Sequence, residues 1–288
     1  MQKLWWCALA LVAGQAWAEG VKVEKDIAYL PADRAEKADL YRPEKVPAGA
    51  KAPALLWIHG GGFSGGDKAQ KRELNIGNNF AERGYVVMSI NYKLQTKGGP
   101  PVWPQNLHDC KTAVRWLRAN AARLQLDPER IAVAGGSAGG HLAGMVALTR
   151  PEDGFDPQGP YSEFSCAVQC GLDFYGPTDL TRWHDSAMFG KTKAEDIDIY
   201  RKASPVTYAR KDSPPMLILH GTADRTVDIK QSEALAAALK KAGAVVHYEV
   251  IPGAPHTFDL QPRQKDLRPL VWAFLDKHLQ GKPGRTGQ

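Results

Sequence analysis

The chain has 288 residues, 43% of them hydrophobic and 24% charged, with a formal net charge of +6. This is enough apolar material for one sizeable core, and it excludes collagen-like, low-complexity and disulfide-dense scaffolds. Lysine and arginine form no stripe interleaved with aromatics, which sets nucleic acid aside as a partner.

The first element is not part of the fold. MQKLWWCALALVAGQAWAEG carries Lys3, then an apolar run from Leu4 to Gly14, then Ala16-Trp17-Ala18. This is the basic, apolar and A-x-A order of a secretory leader, with cleavage expected after Ala18. An apolar run of about eleven residues falls short of the roughly 20 that span a bilayer, so no stable membrane insertion is expected. Cys7, directly after two tryptophans, sits too early to be a lipoprotein cysteine. The expected location is periplasmic or secreted.

After the leader, short β-branched runs alternate with amphipathic stretches. KADLYRP, APALLWIHG, GYVVMSINY, RIAVAGG, AVQCGLDFYG, PMLILHG and AVVHYEVI read as strands. NLHDCKTAVRWLRANAARL, QSEALAAALKKAG and LRPLVWAFLDKHLQ read as helices, the second ending in a glycine suited to a helix C′ position. Such alternation argues an α/β fold, a mostly parallel central sheet with helices on both faces. No linker separates two sets of elements, so residues 19–281 are read as one domain and 282–288 as a flexible tail.

Three cysteines follow the leader, Cys110, Cys166 and Cys170, so at most one disulfide can form among them. Cys166 and Cys170, four apart in a presumed strand, would lie about 13 Å apart, beyond the roughly 7 Å a disulfide tolerates. A bridge would therefore join Cys110 to one of the pair; the alternative is three buried thiols.

On a parallel sheet, function collects at the carboxyl ends of the strands, and three strand ends are unusual. The first in the chain is WIHGGGFSGGD, residues 57–67. Gly60, Gly62 and Gly65 satisfy the dinucleotide pattern G-x-G-x-x-G, but the next strand ends in Asn91 and Tyr92, without the acid that would hold a ribose. The better reading is an HGGG loop whose bare N–H groups at Gly61 and Gly62 point at a developing oxyanion.

The second is ERIAVAGGSAGGHLAGMVAL, where strand, G-x-S-x-G and helix follow in the order that exposes Ser137 on a sharp turn. Ala138, next after the serine, would add its N–H to the oxyanion donors. No Gly-Lys-Ser/Thr follows, which excludes a phosphate-binding P-loop. A serine hydroxyl is a weak nucleophile and needs a base steadied by a carboxylate. The third strand end, LILHGTADRTVD, supplies Asp224, and HYEVIPGAPHTFDL places His256 in the loop after the next strand. Asp228 competes as the acid but sits at a helix start and reads as a cap. His220 and His278 read as structural, His59 and His141 as loop-bracing and helical, and His247 as strand interior; His108 and His184 stay unassigned.

These motifs, with DLYRP, INYKL, FYGPTDL and ASPVTY, resemble the hormonesensitive-lipase-like α/β-hydrolases, in particular the compact bacterial esterases near feruloyl and acetylxylan esterases. The resemblance implies a nucleophile at Ser137, an acid at Asp224, a base at His256, and oxyanion donors at Gly61, Gly62 and Ala138. It implies a two-step acyl transfer with no cofactor and no metal, on a small-molecule or carbohydrate-linked ester. Two departures are Gly136 before the serine, where many members carry an acid, and a short N-terminal cap segment that implies a small lid. Phe63 and Tyr92 are expected to line the pocket and RWHDSAMFG, residues 182–190, to form part of the lid. Rival readings are an arylformamidase-like amidohydrolase and a non-catalytic secreted binding protein on the same fold. The oligomeric state stays open.

Overall fold

A computed structural model describes residues 20–279; the expected leader and the tail from 282 lie outside the described residues. Eight strands form one sheet: β1 (Val21–Ile27), β2 (Ala38–Pro43), β3 (Ala52–Ile58), β4 (Val86–Ile90), β5 (Leu126–Gly136), β6 (Cys170–Phe174), β7 (Met216–Gly221) and β8 (Val246–Ile251). Their order is β1-β2-β4-β3-β5-β6-β7-β8. From β4 to β8 every neighbouring pair is parallel, while β2 runs antiparallel to both β1 and β4.

The helices are α1 (Lys71–Glu82), α2 (Gln105–Ala119), α3 (Ala121–Leu124), α4 (Ala138–Leu148), α5 (Ile197–Lys202), α6 (Lys230–Ala242) and α7 (Arg268–His278). Successive strand residues point to opposite faces, and the central strands feed two cores in strict alternation. Along β3, Ala54, Leu56 and Ile58 join the core under α2, α4 and α6, while Leu55 and Trp57 join the one under α1 and α7. Both faces being covered is why these strands read as unbroken apolar runs. Each large side chain so buried contributes about 1.5–3 kcal/mol.

Helix α4 is buried along its whole length, which its apolar sequence on all sides requires. Its start, immediately after the central strand β5, therefore sits at the middle of the sheet's carboxyl edge.

Of the two cysteine readings, the three buried thiols are what the structure holds. Cys110, Cys166 and Cys170 are all free and buried. Cys110 packs in the core on the α2 side and Cys170 in the core on the opposite face, so the sheet stands between them. Cys166 lies in the loop before β6 rather than in a strand with Cys170.

Candidate active site

Ser137 alone makes the turn from β5 to α4, at φ 58° and ψ −121°. A side chain held there costs on the order of 1–3 kcal/mol and persists only when its surroundings enforce it. Here the Ser137 N–H donates to the Phe174 carbonyl at 2.8 Å, and its carbonyl accepts from the His141 N–H at 3.0 Å. The glycines around it serve close approach. A Cβ on Gly139 would collide with the Ile58 carbonyl at the end of β3, and one on Gly135 with the backbone of Gly139. Gly136 is less confined, since its Cβ would stand 3.0 Å from the Tyr175 hydroxyl.

The HGGG loop lies against this turn. A Cβ on Gly60 would come within 2.7 Å of the Gly136 carbonyl and 3.2 Å of Ser137 Cβ. Gly61, Gly62 and Phe63 all have positive φ, at 128°, 62° and 63°. The Gly61 carbonyl accepts from Ser64 and Gly65, at 3.1 and 3.0 Å, closing the loop. Neither the Gly61 nor the Gly62 N–H finds an acceptor among the described residues. Ala138 is the first residue of α4, where a helix leaves its N–H groups unpaired and its dipole positive. These three residues border the same cleft as Ser137.

The expected acid and base meet the serine. His256 Nε2 lies 2.9 Å from Ser137 Oγ, and His256 Nδ1 lies 2.6 Å from Asp224 Oδ2. An ionised Asp224 only accepts, so Nδ1 carries the hydrogen and Nε2 is left free to take a proton. Asp224 is shielded from solvent but well satisfied, with Oδ1 accepting from the Thr226 and Val227 N–H groups at 2.8 and 2.9 Å. Tyr175 stands edge-on to the His256 ring at 4.7 Å and anchors its own hydroxyl on the Phe258 carbonyl at 2.6 Å. Asp228 is exposed and accepts from the Lys230 N–H at 3.0 Å, at the start of α6, as expected of a cap.

The cleft has a volume of about 730 Å³. Phe63 borders it, with its ring edge-on to His141 at 5.2 Å. Tyr92 does not, and that expectation is corrected: it is buried, stacked on His59 at 4.5 Å, and donates to the His59 carbonyl at 3.0 Å. It braces the HGGG loop from behind. From the expected lid segment, Trp183, His184 and Ser186 form one wall.

Sequence reasoning missed Arg72, which enters the cleft from the first turn of α1. Its Nε and Nη2 donate to Glu73 Oε1 at 3.0 and 2.8 Å, and Nη1 donates to the Tyr175 hydroxyl at 3.2 Å. A guanidinium has more N–H groups than these, so donors remain unspent beside the serine turn. Only a charged pair at a helix start marked this position, and surface helices carry many such pairs.

Residues 38–239 match the family described as BD-FAE. Esterase LipQ of Mycobacterium tuberculosis is 34% identical over 82% of this chain, which spans 57% of that relative's length. The ethyl acetate hydrolase of Pseudomonas putida is 30% identical over 76% of this chain and 70% of its own. Among solved structures, the propionate-bound esterase 2 of Thermogutta terrifontis superposes with a TM-score of 0.72 at 28% identity, over 92% of this chain and 97% of that one. With the family match spanning strands β2 to β7 and the parallel sheet that carries the serine turn, the chain belongs to the BD-FAE family of α/β-hydrolases.

Proposed function

We propose that this protein is a serine carboxylesterase with Ser137 as nucleophile, His256 as general base and Asp224 as its orienting carboxylate. The observation that carries the reading is the unbroken chain of contacts from Ser137 Oγ through the imidazole to Asp224 Oδ2. His256 Nε2 takes the hydroxyl proton as Ser137 Oγ attacks the ester carbonyl carbon. Asp224 steadies the imidazolium that results. The oxyanion rests on the N–H groups of Gly61, Gly62 and Ala138, and one such donor contributes roughly 3–4 kcal/mol to the transition state. The imidazolium then protonates the departing alcohol, and water, deprotonated by the same nitrogen, releases the acid.

The substrate we assign is a short-chain or aromatic acyl ester, carried on plant cell-wall carbohydrate. The propionate held by the Thermogutta relative and the ethyl acetate named for the Pseudomonas relative support the short acyl group. The open cleft beside Ser137 leaves room for a bulky alcohol. The expected leader supports export, where such a polymer would be met.

Fluorophosphonate labelling and a panel of 4-nitrophenyl acetate, acetylated xylan and feruloylated xylan test both levels. The wild type is expected to take the label and Ser137→Ala to lose it, together with at least about 10⁴-fold in kcat. Label without dependence on Ser137 overturns the mechanism. Turnover of the aryl ester with no release of acetate or ferulate from either xylan overturns the carbohydrate assignment.

A further inference from the structure

The wall formed by Trp183 and His184 has a second side. A neighbouring cleft of about 700 Å³ shares Trp183, His184 and Thr226 with the one that holds Ser137. It is lined by the loops that follow β6 and β7 and by the start of α6, with Arg182, Arg225 and Asp228 among the lining residues. The first cleft thus adjoins a second, more polar one at Trp183, His184 and Thr226.

Three observations define what it would hold. Trp183 is half-buried, with its ring held against His184 at 4.6 Å, so an aromatic surface stands at the junction of the two clefts. Asp228 Oδ1 is engaged by the Lys230 N–H, while the exposed carboxylate keeps acceptor capacity to spare, and Arg225, also exposed, lines the same cleft. An aromatic ring in the same cleft as planar donors and acceptors suits a pyranose, which offers C–H groups on one face and hydroxyls around its rim. Apolar esters would gain little from a carboxylate and guanidinium groups there, because polar groups lose their water on contact and need replacement partners.

Position relative to the imidazole decides which half of the substrate enters. His256 Nε2 must reach the departing oxygen to protonate it. Thr226, which borders both clefts, lies on the same short loop as Asp224, the residue that holds His256, so the junction of the two clefts adjoins the loop that carries the acid.

We propose that the cleft bounded by Trp183, His184 and Thr226 is a subsite for a sugar ring of the alcohol portion of the substrate. This rests on the esterase reading above. Its test is the ratio of kcat/KM on acetylated xylohexaose to kcat/KM on 4-nitrophenyl acetate, in the wild type, Trp183→Ala and Asp228→Ala. Each variant is expected to lower that ratio about tenfold, chiefly by raising KM on the oligosaccharide. As a measurement independent of turnover, Ser137→Ala is expected to bind plain xylohexaose in titration calorimetry, and Ser137→Ala/Trp183→Ala to bind it at least about tenfold more weakly. An unchanged ratio in folded variants, or equal binding by the two calorimetry proteins, overturns the subsite. Failure of the esterase reading would show separately, as absence of Ser137-dependent turnover of the aryl ester.

Discussion

At Asp224 Oδ2 two imidazoles converge, His256 Nδ1 at 2.6 Å and His220 Nε2 at 3.2 Å. The His220 Nε2 also lies 3.0 Å from the Val227 carbonyl, and its Nδ1 lies 2.7 Å from Ser232 Oγ. Both neighbours of Nε2 only accept, so that nitrogen carries the hydrogen and Nδ1 accepts from the serine hydroxyl. Burial lowers the pKa of His220, which keeps the ring neutral. Under the proposed mechanism, the carboxylate charge is then free to steady an imidazolium at His256, and the His220 contact helps to fix the carboxylate's orientation. Replacing His220 with Asn is expected to lower kcat about three- to thirtyfold with little change in KM, and to cost about 1–3 kcal/mol of stability through the unpaired Ser232 and Val227 groups. Steady-state kinetics on an aryl acetate and equilibrium unfolding measure both. A folded variant with wild-type kcat would reduce His220 to packing alone.

The turn between β5 and α4 works as an element because β3 presses on it from the side. Gly139 in α4 faces the Ile58 and His59 carbonyls so closely that any Cβ must displace β3, which also positions the HGGG loop. Gly139→Ala is expected to lose more than about 3 kcal/mol or to fail to fold, whereas Gly136→Ala, whose Cβ would stand 3.0 Å from the Tyr175 hydroxyl rather than in collision with a β3 carbonyl, is expected to lose less than half as much. Thermal melts of the two variants compare them directly, and equal losses would contradict the packing argument.

The same packing explains what could be read beforehand. Strands covered on both faces leave an apolar run in the sequence, and the seven so covered or half-covered were legible, as was the glycine-rich serine turn. Strand β1, VKVEKDI, is a charged edge strand with most side chains in solvent, so no apolar pattern marks it. Helix α1, KRELNIGNNFAE, hides its role differently: it buries Glu73, and it brings Gly77 against the Tyr41 ring, where a Cβ would stand 2.7 Å away. Its buried stripe of Glu73, Ile76, Gly77, Phe80 and Ala81 keeps helical spacing, but a charged residue and a glycine hold two of the five positions and thin the apolar signal. Tyr92 and Phe63 were indistinguishable as aromatics near the site, because Tyr92 is drawn behind the loop by its contacts with His59 while Phe63 borders the cleft, and neither outcome is marked by residue type.

Across the whole molecule, two buried groups of opposite type lie close to α4 and act on its stability in opposite directions. Asp173, at the end of β6, is enclosed; its Oδ1 accepts from the Gly176 N–H at 2.8 Å, and its Oδ2 has no partner among the described residues. Burial raises its pKa from 3.8 to about 7, against the Gly176 hydrogen bond. Between those values the folded chain holds a proton that the unfolded chain has released, so stability falls as pH rises through the window and is level above it. The whole window is worth about 4 kcal/mol. His141, within α4, is pushed down from 6.5 to about 4 by burial. Its neutral form is favoured by the fold, so its contribution is complete above 6.5 and is lost as pH falls toward the lower value. The two slopes overlap and offset each other, which predicts a flat stability profile from about pH 4 to 6.5 as far as these groups set it. Asp173→Asn keeps the acceptor for Gly176 and cannot ionise. The stability of this variant relative to the wild type is expected to be constant below about pH 4, to climb by up to about 4 kcal/mol by pH 7, and to level off beyond. His141 is common to both proteins and cancels in the difference. Chemical denaturation at a series of pH values reads it out, and a difference that stays constant from about pH 4 to 8 would mean that Asp173 ionises as freely in the fold as in the open chain.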